Sequence, residues 1–307
     1  MKKNLFAAIF AVIFFAYSAC CSAYAPEGKM RVSMLDIGQG DAFLIETPEQ
    51  NILLDTGDVP QRKKLVRQLK NAGITRFERI ILTHPHNDHI GGASYVIDNF
   101  PVDEIIDNGI ISTSPLYIAY HSADVKFSAV KAGDVIDFGG GVKFKVFNPD
   151  RETVNAVNSG SQRSHPNNES IIGKLTFGEF SIIFTGDADK AAEDKVVDNF
   201  QPQLQATILK ASHHGSKTSS SDNFVASVAP SYVFISAGKA NSFGHPHKQS
   251  LATFRENFIL PQNIFCTRFN GAVVVETDGK NHVIAVENEN NWVEEYTKQI
   301  ISVIRLD

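Results

Sequence analysis

The chain has 307 residues, of which 43% are hydrophobic and 21% are charged, and its formal net charge is −5. This is the balance of an ordinary globular protein, with enough apolar residues for one large core or two small ones. The acidic charge argues against a protein that wraps duplex nucleic acid over a broad basic face, although a local basic groove is compatible with it.

Residues 1–25 have the pattern of a secretory signal peptide. Two lysines precede an apolar stretch over about 5–17, and small residues follow it. That stretch is short for a membrane span, which needs about 20 residues, so we expect no stable span in the mature chain. The sequence predicts an exported protein, periplasmic or secreted, and a lipid anchor on Cys20 or Cys21 is the alternative.

Removal of this segment would leave one cysteine, Cys266. A single cysteine cannot form an internal disulfide, so we expect the core, and in part bound metal, to stabilise the exported protein. Because Cys266 belongs to no local motif, we predict a buried side chain rather than a nucleophile.

Strands and helices alternate after the signal segment. Apolar residues recur at every second position or in short runs in the strands, and at three- and four-residue intervals in the helices. In chain order we predict a hairpin over 30–47, a strand and turn over 51–58, a helix over 61–73, a strand over 77–84, a helix over 92–100, a strand over 102–109 and several short strands over 126–149.

A polar segment over 150–169, nearly free of core residues, predicts a surface loop between two halves. The same order of elements then returns. We predict a hairpin over 170–187, a helix over 190–200, a strand over 204–214, a helix over 219–230 and a strand over 231–238. Residues 291–307 predict an amphipathic helix that packs on the domain.

The two halves resemble each other in pattern. Each contains the letters TGD after a buried strand, then a helix, then a second strand that ends in histidine. Thr56 precedes His84 by 28 residues, and Thr185 precedes His213 by the same number. We therefore predict an α/β fold, a four-layer αβ/βα sandwich over residues 26–290, whose halves present side chains at one edge of the sheets.

The stretch THPHNDH places three histidines and an aspartate directly after a strand. Alternate residues of an extended loop point the same way, so His84 and His86 are placed to bind one cation, and Asp88 and His89 a neighbouring one. Such ligands suit zinc or manganese, and paired divalent metals are used to activate water against esters. The alternative is a polar loop with chance histidines, which this density of histidines argues against.

The second half supplies the remaining predicted ligands. Asp187 closes the second TGD at a strand end, where a carboxylate can bridge two cations, although a turn aspartate is the alternative. One of His213 and His214, which end the next strand, is expected to complete the second metal. We favour His214 as the ligand and His213 as a substrate contact or proton donor.

Residues beyond these histidines indicate phosphate as a substrate group. Ser216, Lys217 and Thr218 combine hydroxyls with an ammonium group and suit phosphate oxygens, with an ordinary helix N-terminus as the alternative. The loop that carries His245 and His247 follows another strand. It is expected to act on a leaving group or phosphate, or else to be a surface loop.

Carboxylates outside the ligand set are expected to orient the histidines. Asp55 ends a buried strand and is predicted to hold a ligand histidine from behind. Asp41, in the segment LDIGQGD, is predicted to do the same, and Asp36 and Gln39 of that segment are further candidates. The sequence contains no G-x-S-x-G elbow and no glycine-rich phosphate loop that would point to other chemistry.

The motifs THPHNDH, TGD and SHHGS resemble those of the metallo-β-lactamase superfamily of hydrolases. Together with LDIGQGD, NILLDTG and GHPH they look like the soluble hydrolase domain of ComEC-type competence proteins, which handle DNA uptake. The resemblance runs from about Met30 to about Val286. It implies two divalent metal ions, Zn or Mn, held by His84, His86, Asp88, His89, Asp187 and one of His213 and His214.

The superfamily's further histidine ligand is not obvious here. The resemblance implies an asparagine in its place, and both Asn167 and Asn168 fit, with His165 as the alternative. We expect Asn168 to contact substrate.

Together these residues predict an exported metal-dependent hydrolase, most of all a phosphodiesterase or nuclease that uses a metal-activated water. Asp88 is also expected to orient the nucleophile, and His213, Lys217, His245 and His247 to assist catalysis. The competence proteins carry this domain on a membrane channel that the sequence does not predict, so DNA import does not follow. The alternatives are hydrolysis of a phosphocholine, lipid or cell-wall phosphoester, of a lactam or lactone, or metal binding without catalysis.

Overall fold

The computed structural model of the protein describes residues 24–288. Nearly all of the predicted signal peptide over 1–25 and the whole predicted helix over 291–307 lie outside these residues, so both stay predictions, as do the domain limits at 26 and 290. No helix between residues 24 and 288 has the length and apolar character needed to cross a membrane.

The strands are short and lie in the segments where apolar residues alternate or cluster. In chain order they are β1 (Met30–Met34), β2 (Phe43–Glu46), β3 (Asn51–Leu54), β4 (Phe77–Ile81), β5 (Val102–Asp107), β6 (Lys126–Ala129), β7 (Val135–Asp137), β8 (Lys143–Asn148), β9 (Ile172–Phe177), β10 (Phe180–Phe184), β11 (Ile208–Lys210), β12 (Tyr232–Ile235), β13 (Ile264–Cys266), β14 (Val273–Thr277) and β15 (His282–Val286).

The helices connect these strands on the outer faces. In chain order they are α1 (Arg62–Asn71), α2 (Asn87–Ile90), α3 (Ala93–Ile97), α4 (Pro115–His121), α5 (Arg151–Asn158), α6 (Lys190–Phe200), α7 (Asp222–Val228), α8 (Lys248–Glu256) and α9 (Thr267–Asn270). In α1 the residues Leu65, Val66 and Leu69 form the buried stripe that the sequence spacing predicts.

The strands form two mixed sheets that repeat one plan. The first has the order β15-β14-β1-β2-β3-β4-β5-β6 and the second β13-β12-β11-β10-β9-β8-β7. In the first, β1 to β3 pair antiparallel and β3 to β6 parallel. In the second, β7 to β10 pair antiparallel and β10 to β13 parallel. The similarity of the two halves in sequence is thus a similarity in topology.

Apolar side chains form three layers of core. Inward side chains of both sheets, among them Phe43 of β2 and Phe184 of β10, pack together between the sheets. A second cluster packs the first sheet against α1, α3 and α4, and a third packs the second sheet against α6, α7 and α8. The order helix, sheet, sheet, helix confirms the four-layer αβ/βα sandwich. Cys266 is buried and free, as predicted.

The parallel strands explain where the predicted ligands meet. Loops at the carboxyl ends of such strands lie at one edge of a sheet, which is where α/β folds bind their ligands. Asp55 follows β3, and the stretch 83–89 follows β4. In the second sheet Asp187 follows β10, and His214 follows β11.

The prediction of a surface loop over 150–169 was wrong for its first part. Residues 151–158 form α5, which begins where the Asp150 carboxylate accepts a hydrogen bond from the backbone N–H of Thr153 at 2.9 Å. This helix buries none of its residues. The polar composition of this segment correctly indicated that it is exposed. An exposed segment can still be helical, which the prediction of a loop did not allow for. The sequence reasoning also left α4 unassigned, although Pro115 at its first position is a common helix start.

The aromatic contact between the sheets provides a test of the inter-sheet core. The Phe43 and Phe184 rings meet edge to face with their centroids 5.1 Å apart. We expect Phe184→Ala to lower the free energy of unfolding by about 3–5 kcal/mol, because it removes apolar contacts and leaves a cavity. Urea denaturation measures this. The matched control is Phe258→Ala, since Phe258 is 93% exposed and should change stability by less than about 0.5 kcal/mol. Equal effects of the two variants would contradict this assignment of the core.

Candidate metal centre

Two groups of side chains at this edge share one carboxylate, that of Asp187. Within each group the metal-binding atoms lie within 4.8 Å of one another, and the groups are His84, His86 and Asp187, and Asp88, His89, Asp187 and His214. The loop after β4 carries His84 and His86, and α2 carries Asp88 and His89. Asp187 and His214 come from the second sheet, so the loops of the two halves converge on one point.

Three buried atoms of this cluster fit a bound cation. Nε2 of His84, Nε2 of His89 and Oδ1 of Asp187 are buried and make no hydrogen bond to any residue in the range 24–288. Nε2 of His89 nevertheless faces Oδ1 of Asp187 at 3.1 Å. A buried polar atom without a partner is costly, and imidazole nitrogen with carboxylate oxygen is a donor set that zinc or manganese accepts. The residues present therefore fit a divalent metal.

Hydrogen bonds behind the rings determine which nitrogen faces the cluster. Nδ1 of His89 lies 2.7 Å from Oδ2 of Asp55, and a carboxylate accepts, so this nitrogen donates. The Thr83 hydroxyl donates to the same carboxylate oxygen at 2.8 Å, so its own oxygen accepts from Nδ1 of His84 at 3.1 Å. Each ring thus turns Nε2 toward the cluster, the atom through which it can bind a metal. Asp55 makes the contact predicted for it, and Thr83 is an orienting residue that we missed.

His214 is oriented from the second sheet in the same way. Its Nδ1 donates to the backbone carbonyl of Ser236 at 2.9 Å and lies 3.3 Å from Oδ1 of Asp41. Its Nε2 faces Oδ2 of Asp88 at 3.2 Å and Oδ1 of Asp187 at 3.4 Å. This geometry favours His214 over its neighbour as the metal ligand, and the ligand role itself stays a prediction.

His213 lies on the open side of the cluster. It is half-buried, and its Nδ1 is 3.3 Å from Oδ1 of Asp189 and 3.5 Å from the side-chain nitrogen of Asn167. Both His213 and His214 have left-handed backbone, with φ of 49° and 55°. Such backbone costs about 1–3 kcal/mol per residue and is concentrated at functional sites. The position suits the substrate contact or proton transfer predicted for His213.

A buried lysine behind the cluster was missed from the sequence. Lys210 of β11 is 1% exposed. Its Nζ forms an ion pair with Oδ2 of Asp41 at 2.6 Å and donates a hydrogen bond to the carbonyl of Gly186 at 2.7 Å. The Ser236 hydroxyl donates to the other oxygen of Asp41. Lysine is almost never fully buried unless it is paired, so a lysine inside an apolar strand was the available signal. These contacts hold Asp41 behind His214, and its role in orienting that histidine stays a prediction.

The surrounding charges keep two of the carboxyls ionised. Burial alone would raise the pKa of Asp187, but the charges of His214 and His89 lower it well below its usual range. Burial would also raise the pKa of Asp88, and a hydrogen bond with His214 together with the charge of His89 lowers it instead. Both groups are therefore carboxylates at neutral pH, the form that binds a cation.

The predicted phosphate contacts differ in their surroundings. Lys217 is exposed at the rim, and its backbone N–H donates to Nδ1 of His247 at 3.1 Å. The Thr218 hydroxyl donates to Asp189 at 2.7 Å, and Ser216 is buried with its hydroxyl 3.1 Å from that of Thr218. The hydroxyls of Ser216 and Thr218 thus stabilise their own loop. Lys217 is the charged residue of the three, and it is exposed to solvent.

The two candidate asparagines also have different partners. Oδ1 of Asn168 accepts the backbone N–H of Asp189 at 3.3 Å, so this side chain holds a loop. Oδ1 of Asn167 is buried and makes no hydrogen bond among the described residues, while its amide nitrogen contacts His213. The contact predicted for Asn168 therefore fits Asn167 better. His165, the other alternative, is exposed.

His245 closes the open side of the cluster. Its buried ring has its centroid 5.6 Å from that of His213 and 6.0 Å from that of His214. Burial, followed by the charges of neighbouring histidines, lowers the pKa of His245 to about 3. The ring is therefore neutral at physiological pH. His247 meets it edge to face, with centroids 4.9 Å apart.

The segment LDIGQGD supports the site through its backbone. Gly40 has φ of 116°, and a Cβ there would lie 2.3 Å from the carbonyl oxygen of Asp88, so only glycine permits this approach. Gln39 accepts the backbone N–H of Gly238 and so ties two loops together. Asp36 pairs with a lysine of α1, and among residues 24–288 it contacts no histidine, so the structure lends no support to the candidate role that we gave Asp36.

Comparison with known proteins shows the family to which the chain belongs. A family model described as the metallo-beta-lactamase superfamily matches residues 35–239. The chain belongs to this superfamily. Competence-related relatives match as well. ComE operon protein 3 of Bacillus subtilis is 32% identical over 80% of this chain and 33% of its own length. Competence protein ComA of Neisseria gonorrhoeae is 30% identical over 72% of this chain and 29% of its own length.

The resemblance to competence proteins is thus confirmed, and the chain spans about a third of the length of these relatives. Among solved structures, the metallo-beta-lactamase fold protein YhfI from Bacillus subtilis matches 81% of this chain and 100% of its own, with a TM-score of 0.51 and 14% identity. That likeness shows the fold. The superfamily consists mostly of metal-dependent hydrolases, and the donor groups of this member are able to bind metal ions.

The buried Lys210–Asp41 pair provides a test of the charge balance behind the cluster in this metallo-beta-lactamase superfamily member. We expect Lys210→Met to lower the free energy of unfolding by about 3–5 kcal/mol, because it leaves the Asp41 carboxylate buried without its counter-charge. The double variant with Asp41→Asn should recover more than half of the loss. Urea denaturation of both variants measures the coupling. Additive losses in the double variant would show that the two side chains stabilise the fold independently.

The metal dependence of stability provides a test of the ligand groups. We expect Zn²⁺ or Mn²⁺ added to chelator-treated protein to raise its melting temperature, with about 2.7 kcal/mol of stabilisation at a hundredfold excess over Kd. Differential scanning calorimetry measures the shift. Asp187→Asn removes the carboxylate shared by both groups and should abolish most of it. An equal shift in that variant would place the metal elsewhere.

Proposed function

We propose that this protein is an exported metal-dependent phosphodiesterase, with single-stranded nucleic acid as its substrate class. The observation that carries the proposal is the pair of ligand groups that share Asp187, because paired metals a short distance apart are a common device for displacement at phosphorus. The metal would be Zn or Mn, with two ions per site.

The ligand groups have separate parts in this proposal. His84 and His86 would hold one cation, Asp88, His89 and His214 would hold the other, and Asp187 would contact both. Divalent cations held there would supply Lewis acidity, both to polarise a phosphate oxygen and to lower the pKa of the attacking water. Asp88 also lies at the edge of its group, half-buried, where a carboxylate can orient that water.

The remaining polar groups would act on substrate from the open side. The Lys217 ammonium would contact a phosphate oxygen. Nδ1 of His213 contacts Asp189, and its Nε2 lies 3.6 Å from Oδ2 of Asp187. From this position Nε2 would donate a proton to the departing oxygen. His245 and His247 line the same side and would exclude water from the leaving group. The competence-related relatives support nucleic acid as the substrate class, although this chain spans only a third of their length.

The proposed export depends on the pattern over residues 1–25. Cell fractionation with and without these residues tests it. We expect the full chain outside the cytoplasm and the truncated chain inside. Retention of the full chain in the membrane fraction, reversed by replacing Cys20 and Cys21 with serine, would favour the lipid-anchored alternative.

The catalytic proposal is tested with three substrates in parallel. Purified protein loaded with Zn²⁺ or Mn²⁺ is assayed on bis-p-nitrophenyl phosphate, a single-stranded oligonucleotide and nitrocefin. We expect turnover of the two phosphodiesters, and a loss of at least about 100-fold in kcat/KM for Asp187→Asn and His86→Ala, because each removes a ligand of the metals that carry the Lewis acidity.

The matched control is His282→Ala, a histidine of β15 far from this edge, which should leave kcat/KM unchanged. Cleavage of nitrocefin alone would overturn the phosphodiesterase and favour a lactamase. Metal bound at full occupancy without turnover of any substrate would indicate a metal-binding module.

A further inference from the structure

An exposed aromatic ring lies directly outside the candidate metal centre. Phe243 is 61% exposed, and its ring lies nearly parallel to that of His245, with centroids 5.6 Å apart and an interplanar angle of 19°. His245 is itself buried against His213 and His214. The rings therefore form a continuous series from the metal ligands to solvent, and Phe243 is its outermost member.

The loop that carries this ring is held in place by polar contacts. The Asn241 side chain donates to the carbonyls of Gly238 at 2.7 Å and His245 at 2.9 Å, and it accepts the His245 N–H at 2.8 Å. The backbone N–H of His247 donates to the carbonyl of Gly215 at 2.8 Å, which fixes the loop to the turn of the predicted ligand His214. These contacts hold the backbone on both sides of Phe243, whose ring lies against His245.

Neither the core nor a hydrogen bond accounts for Phe243. Exposing an aromatic ring to water forgoes the stabilisation that its burial would contribute, and the ring carries no polar atom that solvent could satisfy. One face of the Phe243 ring packs against the buried ring of His245. Its other face is open to solvent. The exposed Lys217 belongs to the neighbouring loop, whose backbone N–H at Lys217 donates to Nδ1 of His247, two residues after His245.

We propose that Phe243 is a base-stacking residue, on which a nucleobase next to the scissile phosphate lies while Lys217 contacts the backbone. Aromatic rings bind single-stranded nucleic acid in this way, since every base offers a flat face, and the contact tolerates any sequence. The proposal depends on the proposed phosphodiesterase and narrows its substrate to unpaired nucleic acid. It also explains how a chain with a net charge of −5 can bind a polyanion without a broad basic face.

The test compares Phe243→Ala, Phe243→Trp and wild type on two single-stranded oligonucleotides of equal length. One carries normal bases, and the other has abasic sites on both sides of a central phosphodiester. On the normal oligonucleotide we expect Phe243→Ala to raise KM about 5- to 150-fold with little change in kcat, the range that corresponds to loss of one stacked base. Phe243→Trp should keep or lower KM. On the abasic oligonucleotide all three proteins should have the same KM.

The matched control is Phe258→Ala, which removes an even more exposed ring from the turn after α8 and should leave both KM values unchanged. Equal KM for Phe243→Ala and wild type on normal oligonucleotide, or an equal increase on both oligonucleotides, would overturn the stacking proposal. Hydrolysis of bis-p-nitrophenyl phosphate without cleavage of any oligonucleotide would overturn stacking and leave the phosphodiesterase in place. No turnover of either substrate would overturn the proposed function itself.

Discussion

The rest of this structure depends on one constraint, which is the excess of negative charge at the edge where the loops of the two sheets converge. Four carboxylates converge there, and those of Asp41, Asp55 and Asp187 are buried. Among residues 24–288 the lysine that contacts them is Lys210. Burying a carboxylate without a counter-charge costs several kcal/mol, so protonated histidines or bound cations must supply the remainder. The carboxylates come from both sheets, so this balance couples the docking of the two halves to the state of the site.

Protons and cations compete for the same atoms in this balance. Burial alone would lower the pKa of His89, but the charges of Asp187 and Asp55 raise it well above its usual range. Burial would lower the pKa of His214 as well, and the charges of Asp187 and Asp41 raise it in the same way. Binding a metal through either ring must release that proton, which makes the affinity depend on pH. His84 differs, because burial lowers its pKa well below the usual range and keeps it neutral. Its half of the centre can therefore accept a cation without displacing a proton.

Sequence reasoning succeeded where a local pattern carries the information. Apolar periodicity predicted the strands β1 to β12 and the helices α1, α3, α6 and α7. The repeated TGD spacing pointed to Asp187. The same repeat aligns Asp58 with Asp187, yet Asp58 accepts the N–H of Val59 and starts a turn, so equal positions in the two halves carry different chemistry. Lys210 could not be interpreted from its neighbours, because its counter-charge lies in a distant loop. Hydroxyl direction is likewise a tertiary property, which is why Thr218 contacts Asp189 rather than the open side.

The electrostatics of the whole chain shape how such a site can recognise its substrate. Nonspecific attraction to a polyanion grows with the number of basic side chains that neutralise phosphates, and an acidic chain offers few over a wide surface. For the proposed nucleic-acid substrate, attraction would then come from the centre itself, where bound cations and Lys217 would act over a short range. Short-range charge holds a phosphate in position, but it does not distinguish between the groups attached to that phosphate. In the proposed phosphodiesterase, the neutral groups around the centre would therefore select among phosphodiesters. These are His245 and the exposed ring of Phe243 that lies against it.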